Sequence, residues 1–159
     1  MAVRTLTQRD AYFAAARGRL KLRRSDEAGR DPAAELIAYH RADETGSRWS
    51  AYHRVPVAAE DARALEAALS ETVGALAVVA KTRAVGVVGR TRVHLDDVAG
   101  LGAFVELETV VAGGDRAAAE TEHTAVVAEL GLDRGRFAPV AGSYADLMLA
   151  ANEAEQERA

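Results

Sequence analysis

The chain has 159 residues, a net charge of −4 and no cysteine, and 49% of its residues are hydrophobic and 28% charged. This length and balance are typical of one globular domain, and the lack of cysteine excludes disulfides, zinc fingers and thiol catalysis. Because no long apolar run or signal segment is visible and the net charge is negative, we expect a cytoplasmic protein that binds neither a membrane nor a nucleic-acid polymer.

Alternation with a period of two predicts the strands of the first half of the chain. Residues 19–23 alternate strictly between basic and apolar side chains, directly after Gly18. Pro56 places the end of the fourth strand at a sheet edge, because proline cannot donate to a ladder. The strands predicted in this half are 4–13, 19–23, 35–41 and 49–57.

The period changes after residue 60, where Ala62, Leu65, Leu69 and Val73 recur at helical spacing. The elements predicted from there are a helix over 60–73, strands over 76–83, 90–98 and 104–111, and helices over 113–130 and 143–150. A glycine-rich hairpin turn is predicted at 85–89, with a short strand over 87–88 between Gly86 and Gly89. Gly131 is expected to end the second helix, and Ser143 to cap the third. This order favours one α+β domain over 1–151 with an antiparallel sheet, followed by a frayed tail over 152–159.

The two lysines of the chain, Lys21 and Lys81, stand out among 18 arginines. A compositional bias explains arginine wherever charge alone matters. The remaining lysines are then candidates for positions that need a compact ammonium rather than a planar guanidinium. Chance on an exposed face is the alternative.

Like charges share one face on several predicted strands. Exposure to solvent explains a charged face on any single strand, but it explains poorly why several strands each have such a face. The sets that share a face are Arg19, Lys21 and Arg23; Tyr39 and Arg41; Lys81 and Arg83; Arg90, Arg92, His94 and Asp96; and Glu106 and Glu108.

A barrel with these faces inside would have a basic lumen with an acidic pole. Arginine binds phosphate through two parallel hydrogen bonds, and neighbouring carboxylates are hard oxygen ligands suited to Mg²⁺ or Mn²⁺. We therefore predict a polyphosphate or another anionic small molecule as the ligand, together with a weakly held divalent cation.

An ordered series of segments carries a family resemblance: QRDAYF at 8–13, GRLKLRR at 18–24, ELIAYHR at 35–41, KTR at 81–83, RTRVHLDDVAGLGAFVELE at 90–108 and GSYADLMLA at 142–150. In these segments the chain resembles the CYTH superfamily, which contains class IV adenylate cyclases and thiamine triphosphatases, the triphosphate tunnel metalloenzymes. The closest likeness is to the cyclase-like branch, in which a QTDTYF-type strand precedes GRLKLR.

The resemblance implies an antiparallel β-barrel that forms a tunnel, with flanking helices. It implies phosphate binding by Lys21, Arg23, Arg41, Lys81, Arg83 and Arg92, and metal ligation by Asp96, Glu106 and Glu108. We predict catalytic roles for Lys21, Lys81 and His94, with His94 as a proton-transfer group. A hydrogen-bonded histidine inside the barrel is the alternative for His94.

The family's first motif, ExExK, does not occur in this chain. We therefore expect an incomplete barrel, either from a misassigned start or truncation, or as a natural short variant. A second copy of the chain could close the open edge in a homodimer. In an open tunnel, the aromatic residues Tyr12, Phe13, Tyr39, Trp49 and Tyr52 either shape an organic pocket or belong to the core.

Three functions fit these observations. The first is an enzyme acting on a phosphoanhydride, either a hydrolase in which water attacks the terminal phosphorus or a lyase in which a ribose hydroxyl attacks the α-phosphorus. The others are a polyphosphate-binding protein without turnover, and a short variant repurposed for cyclisation or isomerisation of a non-nucleotide metabolite. The retained cations, with Glu106 and Glu108, favour the first function.

Overall fold

The computed structural model of the protein describes residues 3–41 and 49–158, and the main chain alone for Arg41. Among these residues the strands are β1 Arg4–Phe13, β2 Arg19–Glu27, β3 Ala33–Arg41, β4 Ser50–Val57, β5 Ala75–Val88, β6 Thr91–Val98 and β7 Gly102–Thr109. The helices are α1 Ala62–Leu69, continued by a π-helical turn Ser70–Gly74, then α2 Arg116–Glu129 and α3 Tyr144–Gln156. No helix in the described ranges is long and apolar enough to cross a membrane.

All seven strands form one antiparallel sheet in the order β4-β3-β2-β1-β5-β6-β7. This confirms the predicted α+β class with an antiparallel sheet, curled into a half-barrel with flanking helices. Strands β4 and β7 are the sheet edges in the described ranges, and Pro56 lies on edge strand β4 as predicted. The homodimer expected at an open edge stays a prediction.

The hairpin turn predicted at residues 85–89 starts too early, because β5 runs unbroken to Val88 and includes the predicted short strand 87–88. Gly86 adopts an ordinary extended conformation and pairs with Val93 of β6. The turn comes instead at Gly89, whose φ of 58° suits glycine. A glycine inside a strand therefore gave a false signal for a turn.

Two apolar clusters hold the sheet from opposite sides. On the convex side, Phe13 and Leu22 pack with Ala62 of helix α1, and Leu65 and Leu69 lie against them. The members of the concave cluster come from the sheet and from α3: Tyr12, Val79, Val98 and Ala145, with Phe104, Tyr144 and Met148 packed against them. Helix α3 therefore covers part of the concave face and leaves the charged part of that face beside it.

The ends of the last two helices follow the predicted capping signals. Ser143 forms a capping box with Asp146, in which the Ser143 side chain and the Asp146 carboxylate each bond to the other residue's backbone N–H. Gly131 follows helix α2 with a φ of 66°, and its N–H donates to the carbonyl of Ala128. The structure extends α3 to Gln156, beyond the predicted end at residue 150, and the domain boundary at residue 151 stays a prediction.

Candidate functional site

The charged side chains of β2, β5, β6 and β7 share the concave face, as their alternation predicts. The strand register places Arg23 opposite Asp10 and Arg83 opposite Asp96. Arg90 is an exception, because β6 begins only at Thr91. The Arg90 guanidinium instead bonds to Glu122 of α2, with Nε 2.8 Å from Oε2.

Asp10 is the centre of the first charged cluster. Its residue surface is 1% exposed, and its carboxylate accepts hydrogen bonds from Lys21 Nζ at 2.8 Å and from Arg23 Nε and Nη2 at 2.7 Å each. Burial alone would raise the pKa of Asp10, but Lys21 and Arg23 outweigh it and hold this pKa far below its usual range. Asp10 is therefore ionised at neutral pH and neutralises part of the positive charge on β2.

Tyrosine rings surround the ammonium of Lys21. Its Nζ lies 3.4 Å from the Tyr12 hydroxyl oxygen, 5.3 Å from the Tyr12 ring centroid and 5.7 Å from that of Tyr39. Tyr39 stacks in turn on Tyr52, with 5.3 Å between the ring centroids. Burial lowers the pKa of Lys21 to about 8, although Asp10 acts in the opposite direction. Lys21 is therefore mostly charged at neutral pH and loses its proton at mildly alkaline pH.

Asp96 is the centre of the second cluster, on the other side of β1. It is 3% exposed and accepts bonds from Arg83 Nε at 2.7 Å, Arg83 Nη2 at 2.6 Å and the Tyr144 hydroxyl at 2.9 Å. Lys81 Nζ lies 3.5 Å from Asp96 Oδ2 and 4.9 Å from the Tyr144 ring centroid. Burial lowers the pKa of Lys81 and would raise that of Asp96, but Arg83 and Lys81 keep the pKa of Asp96 below its usual range.

His94 lies beside Glu106 on this face. Arg83 Nη2 donates to Glu106 Oε2 at 2.7 Å, and His94 Nδ1 lies 3.5 Å from the same oxygen. Burial would raise the pKa of Glu106, but His94 and Arg83 lower it, so this carboxyl group is ionised. The proton-transfer role of His94 stays a prediction.

Two ion pairs lie towards the open edges of the half-barrel. Arg92 Nη1 donates to Glu108 Oε2 at 3.0 Å on β6 and β7, and Arg54 of β4 donates through Nε and Nη2 to Glu35 at 2.9 and 2.7 Å. The bond to Glu35 raises the pKa of Arg54, and Glu108 on the opposite edge adds to this effect. The curl of the sheet therefore brings charges of β4 and β7 near one another.

The predicted metal ligands Asp96, Glu106 and Glu108 each accept a hydrogen bond from an arginine. Both oxygens of Asp96 are engaged by Arg83, and Glu106 and Glu108 accept from Arg83 and Arg92 respectively. Nowhere in residues 3–41 and 49–158 do three or more Asp, Glu or His side chains form a group that could hold a metal ion. This arrangement does not fit a divalent cation held by the protein alone, and the metal site stays a prediction.

The predicted phosphate ligand Arg41 ends β3, and its side chain lies outside the described part of the structure. Four residues of the site were missed in the sequence: Asp10, Glu35, Arg54 and Tyr144. Asp10 could have been found, since Gln8, Asp10 and Tyr12 alternate in QRDAYF just as the basic residues alternate in β2. Tyr144 lies on helix α3, 48 residues after Asp96 in the chain, and no sequence pattern predicts their contact.

Two of the aromatic residues, Tyr12 and Phe13, belong to the apolar clusters and also line a cleft. Phe13 is buried in the convex cluster. A cleft of about 780 Å³ lies between the β1–β2 turn and α3, and its lining includes Tyr12, Trp49, Arg19 and Asp146. Arg19 Nη2 bonds to Asp146 Oδ2 at 2.8 Å and so joins β2 to α3 across this cleft.

Comparison with known proteins places this geometry in a family. A CYTH domain model matches residues 1–140. The solved PH1819 protein from Pyrococcus horikoshii OT3 is similar at a TM-score of 0.63 and 22% identity, over 94% of this chain and 86% of that chain. The PH1012 protein from the same organism is similar at a TM-score of 0.64 and 18% identity, over 82% and 75%.

A conserved hypothetical protein from Pyrococcus furiosus is also similar, at a TM-score of 0.62 and 20% identity, over 80% of this chain and 74% of that chain. A comparison with curated proteins gives no significant match. At these identities the likeness to solved structures establishes the fold alone, whereas the family model spans most of the sequence. The chain therefore belongs to the CYTH domain family.

Proposed function

We propose that the chain binds a polyphosphate, such as triphosphate or a nucleoside triphosphate, on its concave face and acts on its phosphoanhydride. Proteins of the CYTH family generally are enzymes acting on triphosphates. The observation that carries the proposal is a repeated arrangement of buried cations. Lys21 and Arg23 on β2, and Lys81 and Arg83 on β5, form two clusters on one face, each with one central aspartate.

Each cluster has two positive charges around one central aspartate, and in the second cluster Arg83 also pairs with Glu106. Arg23 and Arg83 both bind their aspartate through Nε and Nη2. A guanidinium has five N–H donors. Within residues 3–41 and 49–158 the bonds of Arg23 and Arg83 use Nε and Nη2, so the donors of Nη1 remain for phosphate oxygens. Phosphate bonds to guanidinium are charge-assisted and stronger than neutral hydrogen bonds.

Proton transfer in this proposal falls to Lys21, Lys81 and His94. A general acid or base works best when its pKa lies near the working pH, and burial brings the pKa of Lys21 to about 8. His94 faces the ionised Glu106, with 3.5 Å between Nδ1 and Oε2. If the reaction uses Mg²⁺ or Mn²⁺, phosphate oxygens must supply most of the ligands, because the carboxylates are engaged by arginines.

Polyphosphate binding without turnover is the second candidate function. The observation that favours it is the saturation of Asp96 by Arg83 and Tyr144, since a carboxylate so engaged is a poor partner for a catalytic cation. Both candidates require the same cations, and they differ in whether the bound anion is consumed.

Arg23 and Arg24 provide a matched test of binding. They are neighbours on β2, but Arg23 faces the concave site, whereas Arg24 faces Glu66 of helix α1 on the convex side, with 3.5 Å between Nη2 and Oε2. We expect Arg23→Gln to weaken tripolyphosphate binding roughly tenfold to a hundredfold, since hydrogen bonds to charged groups contribute about 1.5–3 kcal/mol. Isothermal titration calorimetry measures the affinity, and circular dichroism confirms that each variant is folded.

Arg24→Gln should bind like the wild type. Equal losses in both variants would show a general charge effect and contradict binding on the concave face. If no polyphosphate binds the wild type, a repurposed site for a non-nucleotide metabolite becomes the better explanation.

A product assay separates turnover from binding. The folded wild type is incubated with triphosphate or ATP and with Mg²⁺ or Mn²⁺, and phosphate, pyrophosphate and cyclic nucleotide are measured. Phosphate release indicates hydrolysis, and pyrophosphate with a cyclic nucleotide indicates the lyase reaction. Tight binding without any product would establish the second candidate function.

A further inference from the structure

We propose that Asp10 is a positioning residue of the concave site, which holds Lys21 and Arg23 in place and keeps Lys21 charged beside the ligand. The part of this inference that concerns a ligand rests on the proposed polyphosphate binding. Its geometric part, the control of Lys21 by Asp10, can be tested without any ligand.

The Asp10 carboxylate accepts three hydrogen bonds, all from cations of β2. Two of them run in parallel to Arg23, which lies directly opposite on β2, and the third comes from Lys21. A guanidinium held through Nε and Nη2 is fixed in its plane, so the direction of Nη1 is also fixed. Asp10 therefore determines where Arg23 presents its remaining donors.

Asp96 of β6 forms the corresponding arrangement with β5. It lies opposite Arg83, takes the same two bonds from Nε and Nη2, and has the ammonium of Lys81 nearby. The same combination of one aspartate, one arginine and one lysine therefore occurs on two strand pairs of the sheet, β1–β2 and β5–β6. Asp10 differs from Asp96 in that it is not one of the three predicted metal ligands, Asp96, Glu106 and Glu108.

The charge of Lys21 depends on Asp10 because the other neighbours do not compensate its burial. Arg23 and Lys81 repel the ammonium, and the aromatic rings supply only weak attraction. The groups that face Lys21 are Asp10 and Tyr12 from β1, Arg23 on its own strand, Tyr39 from β3 and Lys81 from β5. Asp10 is the carboxylate of this set, so its removal leaves a buried ammonium among cations and phenols.

The chain contains two lysines, which makes a direct measurement possible. Lysine labelled with ¹³C at the ε position gives two side-chain signals, and Lys21→Arg identifies the signal of Lys21 by its loss. In the wild type we expect this signal to titrate near pH 8, well below the ordinary lysine value of about 10.4. In Asp10→Asn the midpoint should fall by about 1–3 pH units, the effect of an opposite charge at this distance.

Glu66→Gln is the matched control. Glu66 also binds an arginine, with Arg9 Nη1 at 2.7 Å, but this pair lies on the convex side. The Lys21 midpoint should not move in this variant. If Asp10→Asn does not fold, Asp10→Glu takes its place, because the longer side chain keeps the negative charge but displaces it from Lys21 and Arg23. An unchanged Lys21 midpoint in the folded variant would overturn the proposal.

The pH profile of tripolyphosphate binding tests the functional part. At each pH, calorimetry compares Asp10→Asn with the wild type, so the titration of the ligand itself cancels. The affinity of the variant should fall at a pH lower by about 1–3 units than that of the wild type. Identical profiles would overturn the positioning role of Asp10, whereas a wild type that binds no tripolyphosphate would overturn the proposed function and leave the Lys21 titration to test the contact.

Discussion

Asp10 and Asp96 neutralise part of the positive charge that the sequence predicts for the concave face. The alternating cations predict a surface that needs a bound anion to offset their repulsion. In the structure each aspartate already offsets part of that repulsion, through two bonds from an arginine and contact with a lysine. Under the proposed function, an anionic ligand would add to this internal ion-pair network through the donors that Arg23 and Arg83 do not use on the aspartates.

Replacing Asp96 with asparagine should destabilise the protein at pH 7 by about 3 kcal/mol, because one partner of a buried ion pair is removed. Arg83 and Lys81 lower the pKa of Asp96 in the folded state, so the unfolded state binds the proton more readily. The stability that comes from this pair is therefore present above the ordinary aspartate pKa and is lost as the pH falls below it. Urea unfolding at pH 7 and near pH 3 measures the difference between wild type and variant, which should shrink at the acidic pH.

Asp133→Asn provides the comparison for this experiment, since Asp133 is exposed. Its effect should stay within about 0.5 kcal/mol at both pH values, as for an ordinary surface change. A gap between wild type and Asp96→Asn that stays constant from pH 7 to pH 3 would show that the carboxylate charge of Asp96 does not stabilise the fold.

At the scale of the elements, alternation identified most of the sheet, because a strand with one buried and one charged face has a clear period of two. It placed Lys21 and Arg23 on one face of β2, and His94 and Asp96 on one face of β6, as the structure has them. It failed at Gly86, where the chain continues as β5, because the extended conformation of that glycine depends on its pairing with Val93. Local composition does not reveal which partner a strand will find.

Gly18 fixes the turn between β1 and β2 against β3. Its φ is 66°, and a Cβ atom at this position would lie 2.6 Å from the carbonyl oxygen of Tyr39. We expect Gly18→Ala to cost roughly 1–2 kcal/mol for the left-handed conformation and about 1–3 kcal/mol more for the backbone clash. Since Tyr39 lies beside Lys21, this shift would also disturb the first charged cluster.

Gly29 separates the two contributions. Its φ is 78°, but a Cβ atom there would meet no heavy atom within 4 Å. Gly29→Ala should therefore show the conformational cost alone, and chemical denaturation should rank it clearly less destabilised than Gly18→Ala. Equal losses of stability would mean that the β1–β2 turn can move away from β3 at no cost.

At the scale of the whole molecule, the site depends on contacts between elements far apart in the sequence. Tyr144 of α3 donates to Asp96 of β6, and the curl of the sheet brings Glu108 of β7 near Arg54 of β4. These contacts follow from how the sheet bends and where α3 packs, so the sequence predicted the cations of the face but not the groups that complete it. The net charge of −4 gives no sign of the basic residues on the concave face, because acidic residues elsewhere in the chain outnumber these cations.

The whole-molecule consequence is that polyphosphate should stabilise the fold even without a divalent cation. The cations of both clusters are held in place by Asp10 and Asp96, so they need no metal to be positioned. A ligand at 100 times its Kd adds about 2.7 kcal/mol to the stability, which corresponds to a rise in Tm of roughly 5–10 °C for a chain of this size. Thermal unfolding with tripolyphosphate and EDTA measures the shift against EDTA alone, and sulfate at equal ionic strength controls for general salt effects. A shift that requires Mg²⁺ or Mn²⁺ would instead show that the metal, and not the lysines and arginines alone, completes the binding site.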